Sequence, residues 1–300
     1  MKAMLVCAAA LWALAAAPLP AAAQAGADPI PADSLQEMRR ANGTREIGRV
    51  VAERGDTVVF ETITGELVEG RRRFVRIRPV RGRFVEGEFW AEDRHTTRLF
   101  FAPTGRTLRE GAGYAGFFFV LPFVGYGATD GVTLAGGVPF IGSLEETPFW
   151  IAPKVRVLDR PAAQVSTGVF AIHLPGQGDD YCAPECGELR GASWNGIVYG
   201  VGTFGNSDDA LHAGAGVMFG GDGPQLPVMV GGERRVSRRN KLITENWLIP
   251  GEGGAASLGV RRLGESWTVD YGLMFVFGDG AEEVPYFPIV SFSYAFGGGR

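Results

Sequence analysis

Apolar and polar residues alternate through most of the chain beyond residue 95, in strand-length runs punctuated by turns. We read twelve such segments: 95–103, 114–128, 132–141, 149–158, 163–174, 193–205, 210–219, 226–236, 240–249, 255–263, 266–277 and 285–296. In the eleventh, Trp267, Val269, Tyr271, Leu273, Phe275 and Phe277 share one face, against Thr268, Asp270, Gly272, Met274 and Val276. In 149–158, Ile151, Val155 and Val157 alternate with Lys154 and Arg156. In 193–205, Ile197, Tyr199 and Val201 alternate with Gly196, Gly200 and Gly202, and the glycine face is assigned to a crowded interior. The connections alternate too. Thr129–Gly131, Asp159–Ala162, Asn206–Asp209, Ser237–Arg239 and Gly264–Glu265 are short, and those between them are mostly longer. Short turns at one end and longer loops at the other predict an all-β fold, an antiparallel transmembrane β-barrel of about 12 strands.

The upstream pattern is different. IGRVVAE, DTVVFET, ELVEG and RFVRIRPV are short runs set off by turn signals at Gly55-Asp56 and Thr64-Gly65. They predict a small SH3-like or Sm-like β domain over 44–94, reached through a linker at 26–43. The expectation is that it lies outside the barrel, which is drawn as 95–300; the competing reading makes RFVRIRPV or GEFWAED a barrel strand or a luminal plug. Arg71, Arg72, Arg73, Arg76, Arg78, Arg81 and Arg83 form its basic cluster. The bland reading is a solvated strand face. The sharper one is contact of Arg71, Arg72, Arg73 and Arg76 with anionic headgroups or an acidic periplasmic partner. At the start of the chain, Lys2, an apolar core over 3–17, Pro18 and Pro20, and small residues near 21–25 read as a cleaved signal peptide, 1–25.

Composition narrows the classes. Lys+Arg 29 against Asp+Glu 33 excludes a basic nucleic-acid binder, and 46% apolar residues exclude a disordered chain. The 45 Gly and 20 Phe suit strands and turns. Cys7 leaves with the signal, so an exported chain keeps Cys182 and Cys186 in YCAPEC. Their compartment and spacing favour a small disulfide loop over half a metal site, since no second ligand pair accompanies them.

In PYFPIVSFSYAF, Val290, Phe292, Tyr294 and Phe296 share one face and only GGGR follows. This resembles the terminal strand of bacterial outer-membrane β-barrel proteins, although there the aromatic is usually the last residue. The resemblance implies the cell outer membrane, outer-membrane lipid as the surrounding medium, and the barrel-assembly machinery as the reader of that strand. RLFFAPTGR, followed by the glycine-rich strand from Tyr114, also looks like a group of uncharacterised outer-membrane barrels with small amino-terminal β domains, which implies no particular activity.

Candidate chemistry is sparse. Neither His95, His173 nor His212 is followed two residues later by Ser, as the outer-membrane phospholipase pattern needs, and no GxSxG is present. His212 reads as a lumen-facing packing residue. Glu145-Glu146, Asp179-Asp180, Asp208-Asp209 and Glu282-Glu283 fall in loops or turns, where solvation is the ordinary fate. No catalytic set, metal or cofactor is expected. Parity points Lys154, Arg156, Glu233, Arg235, Lys241, Glu245, Arg261 and Asp270 into the lumen, because Lys or Arg on the lipid face costs about 2–4 kcal/mol near the midplane. The expected protein is a porin-like or structural barrel with a narrow polar or salt-bridged lumen. The alternatives are a binding or adhesion barrel displaying the Cys182–Cys186 loop and, last, a lipid-modifying enzyme.

Overall fold

The computed structural model describes residues 35–138, 147–175, 193–220, 224–278 and 286–298. The expected signal peptide, Cys182, Cys186 and the carboxylate pairs at 145–146, 179–180 and 282–283 lie outside the described residues. The chain divides into two compact units at Glu92/Asp93.

In the first unit, β1 (Gln36–Arg40), β2 (Arg45–Arg54), β3 (Thr57–Thr62), β4 (Leu67–Arg71) and β5 (Val75–Pro79) form one antiparallel sheet in the order β4-β3-β2-β1-β5. Met38, Val58 and Phe60 supply its core, and a single 3-10 turn, Arg72–Phe74, joins β4 to β5. β1 falls inside the segment expected to be linker, so that boundary is corrected. Met38 is the reason: it pairs across to Ile77 and is fully buried, which ties QEMRR into the sheet. A separate hairpin, β6 (Gly82–Val85) and β7 (Glu88–Ala91), turns through Glu86 and Gly87, both with positive φ. That conformation matches the twist of a two-residue hairpin and favours glycine.

The second unit is a closed barrel. Its strands are β8 (Ala112–Phe118), β9 (Leu121–Thr129), β10 (Val132–Gly137), β11 (Phe149–Ile151), β12 (Lys154–Arg160), β13 (Ala163–Leu174), β14 (Ser193–Gly205), β15 (Asp209–Phe219), β16 (Val228–Arg235), β17 (Asn240–Ile249), β18 (Gly253–Leu263), β19 (Trp267–Gly278) and β20 (Tyr286–Gly297). β11 and β12 are two halves of one strand, both paired to β10 and β13 and interrupted at Ala152-Pro153, so the wall has twelve positions. β20 pairs with β8 and closes it, which removes every sheet edge.

Twelve strands were expected, but two of the segments were misdrawn and the errors cancel. Residues 95–103 form no wall strand. Residues 114–128 hold two strands, with a tight turn at Phe119-Val120. That turn carries no Gly, Asn or Pro, and Phe119 itself takes the positive φ of 51°, so no ordinary turn signal marks it.

The outer face is apolar and the inside is polar, the inverse of a water-soluble protein. Val155, Val157, Leu211, Leu258 and Tyr271 are exposed on the outside, whereas Lys241, Arg261 and Asp270 are fully buried within. Trp267 and Tyr294 pair near the short-turn end, and Phe149, His173 and Trp194 stack in an outward row near the long-loop end. An apolar band between two aromatic girdles is the signature of a barrel that crosses an outer membrane. The second unit thus has the architecture of a transmembrane β-barrel. Val290, Phe292, Tyr294 and Phe296 line the lipid side of its last strand.

β14 departs from the expected polarity. Tyr199 and Val201 point inward, 8% and 2% exposed, while Gly196, Gly200 and Gly202 lie on the outer face with Val198 and Phe204. The inside is apolar there because it meets an apolar segment of the chain's own.

Candidate functional site

Residues 93–108 run inside the barrel as a re-entrant hairpin. The chain enters at the short-turn end, turns over at Leu99–Ala102 and returns before β8. Leu99 N–H donates to the Ala102 carbonyl and Thr104 N–H to the Thr97 carbonyl, and a bridge pairs Arg98 with Pro103. Leu99, Phe100 and Ala102 join Tyr199, Val201, Met229, Ile243 and Ile289 in one buried cluster. LFFA is a continuous apolar run with Leu99, Phe100 and Ala102 buried, which is the pattern of an internal segment and not of a wall strand with one wet face. That was the available signal.

The wall is shaped for this hairpin. A Cβ at Gly231 would collide with the Leu99 side chain, and one at Gly259 would stand 3.0 Å from Phe100 Cζ. Gly105 N–H donates to Thr203 Oγ1 (2.8 Å), Leu108 N–H to Thr133 Oγ1 (2.8 Å), and Ser166 Oγ donates to the Gly105 carbonyl (2.8 Å).

Charged side chains from wall and hairpin complete the closure in two centres. In the first, Arg261 grips Asp270 in bidentate fashion (2.6 and 2.9 Å) and donates to the carbonyls of His95 and Leu99 (both 2.7 Å). Arg98 adds bonds to the Phe100 carbonyl (2.6 Å) and Ser293 (2.7 Å), lies 3.4 Å from Asp270, and has its guanidinium over the Phe123 ring. In the second, Lys241 bridges Asp93 (2.5 Å) and Glu233 (3.0 Å), and Arg106 reaches Glu233 (2.5 Å) and the Asn206 carbonyl. Glu245 accepts from the backbone N–H groups of Phe101 (2.9 Å) and Ala102 (3.0 Å) at the apex. Lys154 has no carboxylate within ion-pair distance among the described residues. It donates to the hairpin carbonyls of Thr97 and Thr104, each at 3.0 Å.

Two expected lumen charges serve the rim. Arg235 pairs with Asp208 (2.9 Å) and Arg156 with Asp159 (3.0 Å). Asp208, expected to be solvated, is 4% exposed because Arg235 folds onto it. The sequence reading missed Asp93, Arg98 and Arg106 altogether, since their partners lie more than a hundred residues away.

Burial would raise the Asp93 carboxyl, but Lys241, Arg261 and His95 outweigh it and hold Asp93 at about 2. Burial pushes His95 down to about 3, so its ring is neutral at ordinary pH.

Thr203, His212 and Glu233 stand in a row that superficially matches a nucleophile, base and orienting acid. Thr203 Oγ1 is 2.8 Å from His212 Nδ1, and His212 Nε2 is 3.7 Å from Glu233. All three are sealed under the hairpin, and the Thr203 oxygen already accepts from Gly105 N–H. Such a row has no room for a substrate.

In the small unit, Arg72 pairs with Glu53 (2.5 Å) and Arg73 lies 3.7 Å from Asp56 and over Phe74, all at the surface. Arg76 stands opposite Arg39 across β5 and β1, beside the Arg78–Glu37 pair (2.8 Å), around a cleft of about 70 Å³.

No family model and no curated protein matches the chain. Solved structures similar to it include the KdgM porin, at 9% identity and a TM-score of 0.42 over 62% of this chain and 98% of that one. Another is a loop L8 deletion mutant of OmpT, an outer membrane protein of Vibrio cholerae, at 12% identity and a TM-score of 0.36 over 87% and 96%.

Proposed function

We propose that this porin-like barrel is closed at rest, its lumen stoppered by residues 93–108. The observation that carries the reading is the network in which Lys154, Glu245, Arg261 and Lys241, from three strands of the wall, each place at least one hydrogen bond on that one hairpin. Charges satisfied by each other and by backbone are withdrawn from water, which supports a closed lumen, and the sealed Thr203–His212–Glu233 row favours a non-enzymatic role. The short turns then face the periplasm and the long loops the exterior.

We read the small domain as SH3-like, a reading supported by its strand order β4-β3-β2-β1-β5 and the 3-10 turn between β4 and β5, and we assign it to the periplasm after export by the cleaved signal. Its Arg39–Arg76–Arg78 strip suits an anionic partner. Cys182 and Cys186 would form a small disulfide loop within the 175–192 connection, and the last strand would be the address read by the assembly machinery.

Planar-bilayer conductance tests the closed state. The intact protein is expected to be silent, and a variant with 98–105 replaced by a Gly/Ser turn to conduct steadily. Equal conductance of the two would overturn the reading.

A further inference from the structure

Beyond the hairpin apex the lumen changes chemistry. Four inward rows pass from polar to apolar just beyond the apex: Glu245 gives way to Trp247, Asp270 to Met274, Thr203 to Ile197 and Ser291 to Ile289, and in these rows polar side chains return only at Asn195 and Ser193 beside the loop end of β14. Phe118, Ile197, Trp247 and Met274 pack on the buried cluster with one side only and remain partly exposed. Phe101, at the apex, is 48% exposed, and its ring centroid lies 3.9 Å from that of Phe118 with the planes tilted by 52°. Among the described strand residues, no inward position between this floor and the loop end carries a charge. A concavity lined this way is suited to an apolar ligand and not to hydrated solutes.

The wall beside it is low. β8 ends at Phe118, which pairs with Ser291, while β20 continues from there to Tyr286. The hairpin tip between β8 and β9 is Phe119-Val120, 49% and 67% exposed. A turn made of Phe and Val is out of place in water, where turns take Gly, Asn, Asp or Pro, and at home in hydrocarbon. Next to it, a cavity of about 420 Å³ is lined by Val124, Gly136 and Phe149 from the outer face and by Gly137 and Trp150 from the inner one. Val138 and Thr147 complete its lining, so residues of both strand faces border this one cavity at the edge of the wall.

We propose that the loop half of the lumen binds the acyl chain of a single-chain lipid, admitted sideways from the membrane over the β8–β9 hairpin. The hairpin apex is the floor of this site, so the inference rests on the closed-lumen reading.

The test places the full chain in bilayer nanodiscs containing a diazirine-bearing palmitate, with adducts mapped by mass spectrometry after irradiation. Adducts are expected on inward Trp247, Met274 and Phe101 as well as on outward Leu258 and Tyr271. Met274→Glu, and separately the milder Met274→Gln, should reduce the inward adducts at least tenfold and leave the outward ones unchanged. Inward adducts at background level in a non-conducting, heat-modifiable protein would overturn this inference and leave the closed lumen standing. Inward adducts in a protein that conducts as freely as the plug-replaced variant would support the site and overturn the closed state.

Discussion

The two halves of the lumen solve opposite problems with the same wall. Near the short turns, inward positions carry Lys154, Glu233, Lys241, Arg261 and Asp270, and a hairpin fills the space between them. Toward the loops, the same wall presents Ile197, Trp247 and Met274, partly exposed and uncharged. A charge deprived of water needs a partner of fixed geometry, and an apolar side chain does not. The turn half should therefore be rigid and intolerant, and the loop half permissive.

The largest expected breach of that contrast is Asp270→Ala. It strands Arg261 and Arg98 without their carboxylate, and removing one partner of a buried pair costs about 3–5 kcal/mol. Met274→Leu, four residues along the same row, should cost under about 1.5 kcal/mol. The temperature at which the folded gel band converts to the unfolded one measures both. Next comes Glu245→Ala, which leaves two apex N–H groups unanswered. Bonds to a charged acceptor contribute about 1.5–3 kcal/mol, and brief openings should be seen in bilayer recordings.

Acid sharpens the comparison further, because Asp93 and His95 both belong to the turn half. Each has a folded value below its unfolded one, so the folded state holds fewer protons and loses stability as pH falls. The His95 part is complete above about 6.5 and is lost toward about 3, and the Asp93 part is lost from about 3.8 toward about 2. Openings should thus multiply between pH 6 and 4, and His95→Phe should remove that dependence. The smallest effect expected is Gly200→Ala on the outer face, where an added Cβ meets nothing within 4 Å; such a change should stay within about 0.5 kcal/mol. Gly231→Ala would press on Leu99 and cost about 1–3 kcal/mol by overpacking.

Much of the wall was legible because side-chain alternation has a period of two and lipid punishes an error on one face. Trp267–Phe277 and Val290–Phe296 could be assigned from pattern alone. The hairpin was not legible, because Leu99-Phe100-Phe101-Ala102 was given the period of a strand although no residue in it alternates. β14 was inverted for a linked reason: inward Tyr199 and Val201 read as lipid-facing until the apolar hairpin they touch is known. The charges could be placed inside, but their pairing with Asp93, Arg98 and Arg106 depends on the path of the chain through the lumen, which no local pattern encodes.

If residues 93–108 are held in the lumen as firmly as the wall itself, amide hydrogen exchange on the membrane-embedded protein will show it. The N–H groups of Leu99, Ala102, Gly105 and Leu108 should exchange as slowly as those of neighbouring strands such as β17 and β18, and should accelerate in Asp270→Ala. Exchange of these four amides at the rate of a free peptide, in a barrel whose strands stay protected, would contradict the account.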